Sequence, residues 1–103
     1  MPLYRAPVIP LHRFLPEALA EVLRKAPLTD HKVGFAWRSA VGPAIDRGTT
    51  VALRDGVLHV TAKEVAWGRE VERSQGLIRA RLDALLGVGV VRAIDVVIAN
   101  APS

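Results

Sequence analysis

The chain has 103 residues and no cysteine, half of its residues are hydrophobic, and its formal net charge is +4. This length suits one domain with a real apolar core, and the lack of cysteine excludes a disulfide framework, a thiolate metal site and thiol catalysis. No apolar run reaches the ~18 residues of a membrane-spanning helix, and the first ten residues lack the pattern of a signal peptide, so we expect a cytoplasmic protein.

The organisation along the chain is simple. Residues 1–15 carry three prolines and no clear period, which is typical of an irregular arm. Residues 16–99 are predicted to form a single folded domain, and residues 100–103 form a short tail.

Two helices are predicted at the start of the domain. The first begins at Pro16, a residue type that suits the first helical turn, and runs to Lys25 with Leu19, Val22 and Leu23 as its apolar stripe. The second covers residues 31–41 after a cap at Thr29 or Asp30. Its apolar face consists of Val33, Ala36, Trp37, Ala40 and Val41. One more helical turn is expected over residues 44–47.

The dipeptide Asp55-Gly56 is the clearest local signal, because this pair favours the two-residue turn of a β-hairpin. It separates two runs of alternating apolar residues, residues 49–54 and 57–63. A two-residue loop pairs Leu53 with Leu58 and Val51 with Val60, which places apolar side chains opposite each other on one face.

A long helix is predicted over residues 64–86, with a bend near residues 74–76 because Gly76 interrupts its pattern. Its stripe consists of Trp67, Val71, Ser74, Ile78, Leu82 and Leu85. A last strand over residues 90–99 would turn Ile94, Val96 and Ile98 towards the helices. The order helix, helix, strand, strand, helix, strand predicts an α+β domain with a three-stranded sheet and helices packed on one face.

The sequence carries no signature of catalysis. His12, His31 and His59 are scattered and form no metal-binding pair, and the eight glycines form neither a phosphate loop nor a dinucleotide fingerprint. We therefore expect that the protein is not an enzyme, that it uses no cofactor or metal, and that it has no small-molecule substrate and no membrane partner.

The tryptophans and four basic residues are the candidate functional side chains. Trp37 is assigned to the core, whereas Trp67 is either a core residue or an exposed aromatic that stacks on bases or contacts a partner protein. The candidates for contacts to the phosphates of a nucleic acid are Arg54, Lys63, Arg69 and Arg73. The alternative for these four is a solvated face, partly neutralised by Glu70 and Glu72.

The residues together resemble the DciA family of bacterial loaders or operators of the replicative DNA helicase. The resemblance is carried by the ordered combination of Trp37-Arg-Ser-Ala-Val-Gly42, Val51-Ala-Leu-Arg-Asp-Gly-Val-Leu-His-Val60, Ala66-Trp67, Leu82-Asp-Ala-Leu-Leu-Gly87 and Val91-Arg-Ala-Ile94. It implies a fold similar to a K-homology (KH) domain, binding to single- and double-stranded DNA, binding to the hexameric replicative helicase, and association with the nucleoid.

Two departures from the family pattern affect these expectations. The long disordered extension of many members is absent from this sequence, so we expect the folded domain alone, with Trp67 in the contact patch, to bind the helicase. The G-x-x-G loop of KH domains is also absent, since no two glycines are three positions apart. Two alternatives remain: a KH-like RNA-binding module in ribosome or RNA metabolism, and a structural adaptor with an incidental basic surface.

Overall fold

The computed structural model describes residues 16–99, so the predicted arm and tail lie outside the described residues. The elements are α1 (Glu17–Lys25), α2 (Asp30–Val41), α3 (Pro43–Arg47), β1 (Thr49–Arg54), β2 (Val57–Ala62), α4 (Val65–Arg73), α5 (Gln75–Leu86) and β3 (Ala93–Ile98). The predicted α+β class is confirmed: the helices pack against a three-stranded sheet. The KH-like likeness stays a prediction.

The sheet has the order β1-β2-β3, with β1 antiparallel and β3 parallel to the central strand β2. The hairpin register is as predicted, with Leu53 opposite Leu58 and Val51 opposite Val60. Asp55 and Gly56 both have positive φ, 52° and 79°, which a type I′ turn requires. The local turn chemistry therefore sets the pairing of the first two strands.

One face of the sheet forms the floor of the core. Leu58, Val60 and Ala62 of β2 are fully buried beneath the helices. The residues that alternate with them face the open side of the sheet, where His59 lies 3.6 Å from Asp95 of the neighbouring strand. The predicted inner residues of β3 are half-buried on the helix side, as expected. The strand is shorter than predicted and begins at Ala93, because residues 88–90 form a turn.

The predicted long helix is two helices. Ser74 has φ −103° and ψ 13°, and its N–H bonds to the carbonyls of Glu70 and Val71. Helix α4 packs on β2 and β3, whereas α5 packs against α1 and α2. Because the two halves pack on different partners, the predicted bend becomes a break, and the apolar residues of the stripe on both sides of it are buried: Val71, Ile78, Leu82 and Leu85.

The predicted apolar stripe of the first helix is wrong in two of its three residues. Leu19 and Val22 are 55% and 67% exposed, whereas Ala20 is buried. Arg24 donates a 2.6 Å hydrogen bond to the carbonyl of Ala84 on α5. Since residues 20, 23 and 24 share one helical face, this contact turns Ala20 and Leu23 towards α5. Pro16 is the N-cap of α1 rather than its first residue.

Helix α2 follows its prediction closely. All five residues of its predicted apolar face are buried, and Thr29 is the N-cap, accepting a 3.1 Å hydrogen bond from the Lys32 amide. Trp37 is 1% exposed. Its indole N–H donates to the Thr49 hydroxyl at 2.9 Å, and that hydroxyl donates to the carbonyl of Ile45 at 2.7 Å. This chain of bonds joins α2, α3 and β1.

We predict that Trp37→Ala destabilises the domain by ~3–5 kcal/mol, because truncating a buried aromatic leaves a cavity and here also removes the hydrogen bond that the Thr49 hydroxyl accepts. Urea denaturation followed by circular dichroism measures the change. Trp37→Phe is the matched control, since it keeps most of the volume and removes the hydrogen bond. An unfolding midpoint that is unchanged in Trp37→Ala would contradict the core assignment.

Candidate nucleic-acid and partner-binding surfaces

Five cationic side chains are used inside the fold. Each donates a hydrogen bond to a backbone carbonyl: Arg24 to Ala84, Lys32 to Arg24 and Ala26, Arg79 to Val91, Arg81 to Ala40, and Arg92 to Asp55. The Lys32 ammonium is 2.7 Å from the Ala26 carbonyl, just beyond the C-terminal end of α1, where unpaired carbonyls favour a cation. These five cations stabilise the fold through bonds to carbonyls, so the charge available to a partner comes from the other cationic side chains.

The remaining surface cations are less restrained. Within residues 16–99, no hydrogen bond or ion pair holds the side chains of Arg38, Arg47, Arg54, Lys63 and Arg69, all of which are exposed. Arg73 makes one ion pair, 3.2 Å to Glu70, at a side chain that is 72% exposed. An exposed pair of this kind is weak, so Arg73 also remains able to bind an anion.

Arg69 and Arg73 line a groove of about 450 Å³ between α4 and the edge strand β3. We call it the α4–β3 groove; its lining consists of Val65, Gly68, Arg69, Glu72, Arg73, Val96 and Ile98. A Cβ at Gly68 would lie 2.7 Å from Cδ1 of Ile98. The glycine therefore lets α4 lie close to the sheet, and the two guanidinium groups stand beside an apolar floor.

Trp67 lies on another side of α4, in a smaller cavity of about 240 Å³ that we call the Trp67 pocket. Its lining consists of Ala44, Arg47, Gly48, Lys63, Glu64 and Trp67. The indole is half-buried against Gly48, where an added Cβ would lie 2.5 Å from the ring atom Cδ1. Trp67 is therefore neither a full core residue nor fully exposed.

The four predicted DNA-contacting residues lie in three places. Arg69 and Arg73 share the α4–β3 groove, and Lys63 lines the Trp67 pocket. Arg54 pairs with Val57 at the hairpin end, on the open side of the sheet. Since Lys63 is six positions beyond Val57 along β2, roughly 20 Å separates the two ends. Of the four predicted residues, the fold therefore brings only Arg69 and Arg73 together.

Arg47 is the residue that the sequence analysis missed. It ends α3 and meets Lys63 and Trp67 only through the fold. Its neighbours in sequence are ordinary helix and turn residues. The sequence shows only that Arg47 precedes Gly48 just before the hairpin, and this pair of residues does not by itself indicate a binding site.

Within the part of the chain that the structure describes, no helix is long and apolar enough to cross a membrane. The histidine, aspartate and glutamate side chains of this part form no group of three that could hold a metal ion.

The chain is similar to one protein family and to proteins of mycobacteria. The family described as "Dna[CI] antecedent, DciA" matches residues 10–96. A UPF0232 protein of Mycolicibacterium smegmatis is 40% identical over 68 residues, covering 65% of this chain and 35% of the relative. A UPF0232 protein of Mycobacterium leprae is 35% identical over 79 residues, covering 76% of this chain and 42% of the relative. The chain thus spans less than half the length of these relatives.

We predict that Gly48→Ala displaces the Trp67 indole, because three atoms of its ring would lie within 2.6 Å of the new Cβ. The backbone at Gly48 has φ −91°, so the effect is steric. The expected cost is ~1–3 kcal/mol, as for other overpacked sites, with a change in tryptophan fluorescence. Gly34→Ala is the control, since a Cβ there meets nothing within 4 Å and alanine favours helix α2. Identical fluorescence in the two variants would refute the packing described here.

Proposed function

The chain belongs to the DciA family, and on this basis we propose that it is a non-enzymatic DNA-replication factor. It would bind DNA and the hexameric replicative helicase and promote loading of that helicase. The observation that best supports the DNA part is the α4–β3 groove, where two arginines stand side by side without a buried acid partner.

The groove suits a phosphate backbone for two reasons. Guanidinium groups match phosphate oxygens in geometry and charge, and contacts of this kind supply most sequence-independent affinity for DNA. The apolar residues between α4 and β3 offer a surface for bases or sugars, and Glu72 is the one acid in the lining. We propose Arg69 and Arg73 as the principal phosphate contacts.

Lys63 and Arg54 are secondary contacts in this proposal. Lys63 immediately precedes the N-cap of α4 and lies two positions before Val65, at one end of the groove. A DNA strand that extends beyond the groove would reach Lys63 before it reaches Arg54. Arg54 lies at the far end of the hairpin, so only a longer strand or a duplex would contact it.

The helicase contact is proposed at the Trp67 pocket. Aromatic and arginine side chains often dominate the affinity of protein interfaces, and Trp67 is half-buried beside two cations. Half-burial holds the indole in one orientation, which reduces the ordering cost of binding. The groove arginines and the Trp67 pocket lie on different sides of α4, and Lys63 is the one residue placed in both contacts, so a bound helicase would leave Arg69 and Arg73 open to DNA.

We predict that Arg69→Ala/Arg73→Ala weakens binding to an unstructured single-stranded oligonucleotide and flattens its salt dependence. Each lost phosphate contact should reduce the slope of log K against log salt by ~0.7, so the double variant should lose about 1.4. Fluorescence anisotropy across a salt series measures both quantities.

The control for this experiment is Arg38→Ala, which removes an equal charge per residue from an exposed site on α2. If Arg38→Ala lowers the slope by as much per arginine as the groove variant does, net charge rather than the groove determines binding. Competition with RNA of the same sequence tests the alternative function: preferential displacement by RNA would favour an RNA-binding module.

We predict that Trp67→Ala lowers affinity for the purified replicative helicase of the same organism by roughly tenfold or more, as expected for an interface aromatic. Biolayer interferometry measures the affinity, and circular dichroism must first show that the variant is folded. A folded variant with wild-type affinity removes Trp67 from the interface. A wild-type protein that does not bind the helicase refutes the partner proposal itself.

A further inference from the structure

The Trp67 pocket contains two cations that the fold itself does not use. Arg47 at the end of α3 and Lys63 after β2 both line it, and neither side chain has a hydrogen bond or ion pair within residues 16–99. Five other cations of the domain bond to carbonyls. Arg47 and Lys63 are therefore a pair of cations directed at the same cavity and available to an external anion.

The backbone holds the two cation-bearing segments together. The Lys63 amide donates a 2.9 Å hydrogen bond to the carbonyl of Gly48, the residue next to Arg47. The Trp67 ring lies against Gly48 and forms the adjoining wall. Both cations thus emerge from fixed positions beside a fixed aromatic ring, an arrangement that needs little reorganisation to bind a ligand.

The charge and size of the pocket indicate what it binds. Glu64 is the only acid in its lining, so the two cations leave a formal net charge of +1. A single carboxylate would neutralise it. The volume of about 240 Å³ is below the ~300 Å³ at which pockets for small-molecule ligands begin, and it suits one side chain.

We propose that the Trp67 pocket receives an aspartate or glutamate side chain of a protein partner, with Arg47 and Lys63 binding the carboxylate and the indole packing on an apolar neighbour. This inference rests on the proposed function, because it supplies the chemistry of the helicase contact. It adds Arg47 to the interface and requires an acidic residue on the partner.

A nucleic acid fits this pocket less well than it fits the groove. The α4–β3 groove is nearly twice as large and carries two arginines along a helix. Each cavity is lined by two cations and one acid, Glu72 in the groove and Glu64 in the pocket, so size distinguishes them: the smaller pocket suits one carboxylate side chain better than a length of phosphodiester chain. Binding of DNA at the pocket is the alternative outcome of the test.

The test compares Arg47→Ala with Arg47→Lys and Arg38→Ala, using the full chain. Arg47 is exposed and makes no bond in the described part of the fold, so circular dichroism should show unchanged folding. Two probes are titrated with each variant: the purified replicative helicase of the same organism and a single-stranded thymidine oligonucleotide.

The expected result is a loss of helicase affinity of roughly tenfold or more in Arg47→Ala, the usual size of an interfacial charge contact. Arg47→Lys should recover part of it, since the charge remains but the planar fork is lost. Arg38→Ala should bind helicase as wild type does, and oligonucleotide affinity should change by less than about threefold, corresponding to at most one lost phosphate contact.

Three other results would overturn the proposal and are distinguishable. Wild-type helicase affinity in Arg47→Ala refutes the pocket while leaving the proposed function intact. A loss of oligonucleotide affinity without a loss of helicase affinity assigns the pocket to DNA. No binding of helicase by the wild-type chain refutes both the pocket inference and the helicase part of the proposed function.

Discussion

The buried hydrogen bond from the Trp37 indole to Thr49 is the contact on which the rest of the domain depends. It links the middle of α2 to the first residue of β1. The Thr49 hydroxyl in turn donates a hydrogen bond to the carbonyl of Ile45 on α3. A buried polar group without a partner is costly, and this pairing satisfies both the indole N–H and the hydroxyl inside the core. It places α3 and Gly48 at one end of the sheet, and the Trp67 pocket is built there.

Glycines at two positions allow close approach, and each shapes one of the surfaces. Gly68 brings α4 onto the sheet beside Ile98, which leaves the α4–β3 groove along the edge strand. Gly48 brings the Trp67 ring against the start of β1 and gives the smaller pocket its wall. Because α4 ends before Ser74, it packs mainly on the strands β2 and β3. Helix α4 therefore separates two basic cavities of different size.

Net charge alone is a poor guide to function in this protein. The formal charge of +4 includes cations such as Lys32, which is 6% exposed and closes the end of α1. Arg24 likewise ties α1 to α5. The charge that can act on a partner is what remains after these bonds, and the fold distributes it over the groove, the pocket, the hairpin end and Arg38 on α2.

The sequence by itself determined the elements whose cause is local. The Asp55-Gly56 turn and the alternation around it predicted the hairpin and its register, and the 3.6-residue period of α2 predicted its buried face. These features depend on residues a few positions apart. The buried face of α1 was predicted incorrectly, because its apolar residues cover a broad arc and the contact between Arg24 and α5 turns the Ala20 edge of that arc inward.

Tertiary structure decided the extent of the break in the long helix and the composition of the two surfaces. Gly76 predicted a bend near residues 74–76, but only the packing of α4 and α5 on different partners accounts for two separate helices. Arg69 and Arg73 were predictable as neighbours from their helical spacing, whereas Arg47, Lys63 and Trp67 come from three elements. The physical reason is that such groupings depend on how distant segments pack against a common core, and sequence periodicity reports only which side of each segment is buried.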